Sequence, residues 1–133
     1  MPEYIRTLQV QLGLADWTIQ VRTLRRVTWP DGTRVRAAIQ VTDRPRKHAD
    51  IFLPRSFANL TPDVQRSLIA HELYHLPLDA FGPPIEQLQA ADKKLSRALA
   101  APFEDAEHAV IDWLEQLVTP TLPLPTLDKE TEQ

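Results

Sequence analysis

Thr61-Pro62-Asp63-Val64-Gln65-Arg66-Ser67-Leu68-Ile69-Ala70-His71-Glu72-Leu73-Tyr74-His75-Leu76-Pro77 reads as one amphipathic helix carrying its own start and stop signals. Thr61 is a suitable N-cap, Pro62 suits the first helical position, and Asp63 complements the positive end of the helix. Val64, Leu68, His71 and His75 recur at i, i+4, i+7 and i+11, which places them on one inward stripe. Pro77 is expected to stop the helix just after the second histidine. Residues four apart stand one above the other, so His71 and His75 can offer their imidazoles to one metal ion. Glu72 lies about 100° further round, where it can reach water held by that ion without being a ligand. Two histidines and a glutamate buried together without an ion would leave several polar groups to satisfy. His-Glu-x-x-His on a helix is the arrangement in which zinc and a glutamate general base hydrolyse peptide bonds.

Upstream, residues 3–13 read as a short helix with Tyr4, Ile5, Leu8 and Leu12 as its apolar positions and Gly13 as its stop. Trp17-Thr18-Ile19-Gln20-Val21 alternates with period two and extends toward Val27. Trp29-Pro30-Asp31-Gly32-Thr33 signals a turn, and Arg34–Val41 returns, so the pair is expected to form an antiparallel hairpin. Arg22, Arg25, Arg26, Arg34 and Arg36 make that hairpin locally basic. Without stacking aromatics, the cluster reads as a solvated sheet face rather than a nucleic-acid surface. A polar loop, Asp43–His48, leads into a third short strand, residues 49–53, which Pro54 marks as an end or an edge. As an edge strand it would let an extended peptide substrate pair alongside the histidine helix.

Downstream, Ile85, Leu88, Leu95 and Leu99 mark a helix over about 85–100, and Pro102 is expected to start a fresh one. That last helix, Phe103 to about Val118, carries Phe103, Val110, Trp113, Leu114 and Leu117 on its apolar side. Residues 119–133 are Pro-rich and then acidic, and are expected to be an extended or disordered tail behind a single domain over 1–118.

The chain has 133 residues, 43% of them hydrophobic and 25% charged, with a net charge of −3 and no cysteine. The charge argues against a dominant nucleic-acid footprint. Without thiolates, a transition-metal site must be built from His, Asp and Glu. No apolar run reaches membrane-spanning length and Met1-Pro2-Glu3 opens no signal peptide, so a cytoplasmic protein is expected. A catalytic zinc takes three protein ligands, and the third must come from outside the His71–His75 turn. The last helix holds Glu104, Glu107, His108 and Asp112. Glu107 falls between Phe103 and Leu114 inside the apolar face, where a carboxylate needs a partner, so it is the first candidate. Glu104 and His108 follow. Tyr74 is a candidate oxyanion donor and Asp112 a candidate supporting group.

His71-Glu72-x-x-His75 followed by a late acidic helix resembles the zincin metallopeptidases, and most of all their glutamate-ligand branch. It is similar to small single-domain proteins of bacterial and phage genomes that share this motif. The resemblance implies a minimal α+β domain: an N-terminal helix, a small three-stranded, mostly antiparallel sheet, the motif helix and a helical C-terminal part. It implies one Zn2+ on His71, His75 and Glu107, Glu72 as base, and a peptide or protein substrate. The branch's Glu-x-x-x-Asp pattern is not matched, because Asp112 comes five residues after Glu107. The alternative is a zinc-binding regulatory protein on the same fold that does not cleave.

Overall fold

The computed structural model describes residues 1–28 and 31–126, so Trp29 and Pro30 of the expected turn and residues 127–133 of the expected tail lie outside it. The chain is α+β. Helix α1 (Pro2–Gln11) is followed by β1 (Thr18–Leu24), β2 (Val27–Thr28), β3 (Arg34–Val35), β4 (Ala38–Asp43) and β5 (His48–Pro54), then by α2 (Pro62–Leu78), α3 (Gly82–Ala91) and α4 (Lys93–Leu117). Gly13, at φ +73°, turns the chain off α1 as expected.

The sheet corrects the expected hairpin. Its strand order is β1-β5-β4, with β5 parallel to β1 and antiparallel to β4. Only the tip of the expected hairpin forms: Val27 pairs with Val35 and Thr28 with Arg34 around the Asp31-Gly32 turn. Beyond that tip the arms separate and β5 takes the place between them. The strand expected at an edge is therefore the central one, and the sheet is mixed rather than mostly antiparallel. Apolar content explains the exchange: Ala49, Ile51 and Leu53 of β5 are all buried, and a strand with such a face gains most from the middle of the sheet.

These three side chains meet Ile5 and Leu8 of α1 and Ile69, Leu73 and Leu76 of α2 in one core. The opposite sheet face, with Thr18, Gln20, Gln40 and Thr42, is exposed. Thr61 caps α2 through its hydroxyl, which accepts from the Val64 amide at 3.4 Å. Pro77 lies inside the last turn of α2 and the helix ends one residue later, at Leu78. Pro83 and Pro84 occupy the first turn of α3, where their missing N–H groups are not needed.

Two expectations for the C-terminal part are corrected. The helix break falls at Asp92, whose carboxylate accepts from the Lys94 amide at 2.8 Å, and α4 then runs straight through Pro102. Residues 119–126 are not a free tail. Thr119–Thr121 form a 3-10 turn, Leu122 is buried, and the Pro123 carbonyl accepts from the Tyr4 hydroxyl at 2.7 Å. Among the described residues no helix is long and apolar enough to cross a membrane.

Candidate functional site

A cleft of about 530 Å³ lies between β4 and the helices α2 and α4. Ile39 and Val41 form its apolar wall, while α2 contributes His71, Glu72 and His75. Glu104, Glu107 and His108 of α4 stand opposite. The motif and all three candidates for a third donor thus share one cleft. Tyr74 and Asp112 are not among its lining residues. Tyr74 is buried, with its hydroxyl 2.7 Å from Thr119 Oγ1, and Asp112 is exposed. The structure does not bring these two candidates into the cleft with the motif.

The buried stripe of α2 is Gln65, Ile69, Glu72, Leu73 and Leu76. His71 and His75 occupy the flank beside it, half-buried and turned toward α4. Their ring centroids are 5.3 Å apart, with the planes inclined at 66°. Each ring meets a carboxylate of α4: His71 Nδ1 is 2.5 Å from Glu115 Oε1, and His75 Nδ1 is 2.6 Å from Glu107 Oε1, of which Glu107 also lines the cleft. A carboxylate accepts, so Nδ1 is the donor, and in a neutral ring bound this way Nε2 keeps its lone pair. Metal-binding histidines commonly have this support on the nitrogen that does not meet the metal.

Glu72 is the deepest of the three motif side chains, only 9% exposed. Burial pushes its carboxyl up from 4.5 to about 7, while nearby His71 and a hydrogen bond from the Ile39 backbone pull it down. That bond comes from β4, the sheet strand bordering the cleft.

Helix α4 is turned differently from its apolar pattern. Val110, Trp113 and Leu117 are 40%, 60% and 56% exposed, whereas Ile111, between the two acids, is fully buried. The inward face is Glu107, Ile111, Leu114 and Glu115. At about 100° per residue this arc is centred roughly a quarter of a turn from the apolar stripe, with Leu114 common to both. Glu115 was not foreseen, although a signal existed: it follows Glu107 by eight residues and Ile111 by four, on the same face.

The donor chemistry suits a zinc ion: two imidazoles with supported ring nitrogens, and oxygen donors across the cleft. Among the described residues, no three His, Asp or Glu side chains are grouped so as to hold an ion as they stand. No family model, characterised protein or solved structure matches the chain.

Proposed function

We propose that the protein is a zinc-dependent peptidase. The observation that carries this reading is the joint placement of His71 and His75, each backed by a carboxylate, beside a buried Glu72 in one cleft. His71 and His75 would hold the ion, with a third donor from the cleft-facing turn Glu104–His108. When bound, zinc lowers the pKa of water and polarises a carbonyl. Glu72 acts as general base, taking a proton from water and passing it to the departing amine.

The peptide would lie along β4 rather than β5. β4 is the sheet edge beside Glu72, and an extended segment can add to it by backbone hydrogen bonding. Glu72→Gln keeps the shape of the side chain and removes the base. The expected result is loss of peptide cleavage with zinc still bound, measured by cleavage assay and elemental analysis on one preparation. Retained cleavage would remove Glu72 from this role.

The second reading, a zinc-binding interaction protein that does not cleave, draws on the exposed stripe Val110, Trp113 and Leu117. Stoichiometric zinc without hydrolysis across a broad peptide library would favour it.

A further inference from the structure

We propose that Glu107 and Glu115 are a matched pair of positioning residues. Each accepts a hydrogen bond from Nδ1–H of one histidine, leaving Nε2 of His71 and His75 for the ion, and the third protein donor is Glu104 or His108 rather than Glu107. This rests on the zinc reading above but reverses the assignment expected for Glu107.

Three observations lead to it. First, the two contacts are alike. Each joins a glutamate Oε1 of α4 to a histidine Nδ1 of α2, at 2.5 and 2.6 Å, and both pairs are half-buried. Charge-assisted bonds of that length in a partly desolvated place fix both ring orientation and tautomer. Secondly, the two nitrogens of an imidazole point in different directions. A carboxylate bound to Nδ1 of His75 is therefore not on the Nε2 side of the same ring, and Glu107 as placed serves the ring. Glu107 lines the cleft together with Glu104, His108 and Asp79. With Glu107 on Nδ1 and Asp79 paired with Arg44 at 2.9 Å, Glu104 and His108 are the candidates for the third donor. Thirdly, α4 gives up hydrophobic burial to make the two contacts. Val110, Trp113 and Leu117 stay in solvent while Glu107 and Glu115 face inward around Ile111. Burying a tryptophan face is worth far more than a solvated carboxylate loses by staying out. The rotation that buries Ile111 and packs Leu114 on the core is the one that brings both acids to the rings.

The test begins with the metal-free protein, in which long-range proton–nitrogen correlation spectra report the tautomer of each neutral ring. Both rings should be in the Nδ1–H form. Glu115→Ala should release His71 alone to a mixed tautomer, and Glu107→Ala should release His75 alone. Zinc competition titrations follow. The alanine variants should bind zinc about 10–100-fold more weakly. Glu107→Gln and Glu115→Gln, whose amide oxygens still accept from Nδ1, should recover most of that loss. The glutamine pair carries the test should either alanine variant fail to fold. If Glu107→Gln lost zinc as completely as His75→Ala, Glu107 would be a ligand and the proposal overturned. Rings in the Nε2–H form in the metal-free wild type would overturn it too. Wild-type protein that took up no zinc would instead sink the peptidase reading. The two failures are distinct because the tautomers are read without metal.

Discussion

Glu107 Oε1 stands 2.6 Å from His75 Nδ1, joining two helices through residues 32 positions apart in the chain. The same helix brings Glu115 to His71, so α4 acts as the backing of the motif helix. Trp113, between these acids in sequence, points into solvent. The helix is rotated so that Ile111 and Leu114 meet the core and both acids meet the histidines, with part of its apolar stripe left outside.

The rotation has a direct consequence for stability. Ile111 is fully buried and Trp113 is 60% exposed. Ile111→Ala should cost about 2–5 kcal/mol in urea denaturation. Trp113→Lys should stay within about 0.5 kcal/mol of wild type, as surface changes do. A large loss from Trp113→Lys would mean that the apolar stripe faces inward after all.

Glu72 predicts a pH dependence of the metal-free protein. Its folded pKa is about 7 against an ordinary 4.5, so between these values the folded state binds more protons than the unfolded one. Stability linked to Glu72 is therefore complete below about 4.5 and is lost as pH rises toward and through 7. The loss should be on the order of 3 kcal/mol. In Glu72→Gln that part of the slope should vanish, as followed by denaturation midpoints across the pH series. An unchanged slope would show that Glu72 is not the group responsible.

Where local chemistry decides, the sequence was a good guide. Thr61 and Pro62 begin α2, Gly13 ends α1, and the Asp31-Gly32 turn pairs Val27-Thr28 with Arg34-Val35. His71, Glu72 and His75 share one cleft because spacing on a helix is itself geometry. What stayed hidden depends on contacts distant in the chain. Nothing local announces that β5 will enter between β1 and β4, and Pro54 looked like the mark of an edge. The α4 stripe misled in part: Leu114 packs on the core and Phe103 lines the cleft, but Val110, Trp113 and Leu117 are turned out while Ile111 and two acids face other helices. Asp92 as an N-cap was readable, but Pro102 drew the boundary toward itself.

Pro102 lies within α4, where it removes the hydrogen bond to the carbonyl four residues back and crowds the preceding turn. Replacing it by alanine restores that bond and the better propensity. Pro102→Ala should therefore stabilise the protein by about 1–3 kcal/mol, somewhat less than the full helix-interior penalty because proline also restrains the unfolded chain. The shift in denaturation midpoint measures it. A destabilised Pro102→Ala would indicate that the helix breaks there and that proline starts a second segment.

The segment after α4 supplies the remaining test, because it closes the fold against the first helix. Leu122 is 5% exposed, its carbonyl accepts from Arg66 Nη1 at 3.1 Å, and the next carbonyl accepts from the Tyr4 hydroxyl. Burial pushes that phenol up to about 12, so it remains a donor through the neutral range. Thr119, at the start of the same segment, meets Tyr74 of the motif helix. The C-terminal end of α4, and with it Glu115, is thus anchored to both α1 and α2. Leu122→Ala should cost about 2–5 kcal/mol through the cavity it leaves, and Tyr4→Phe about 0.5–1.5 kcal/mol through the lost hydrogen bond. A free tail would make both substitutions silent in thermal or urea unfolding. Two silent variants would detach residues 119–126 from the domain and leave α4 held only by its contacts with α2 and α3.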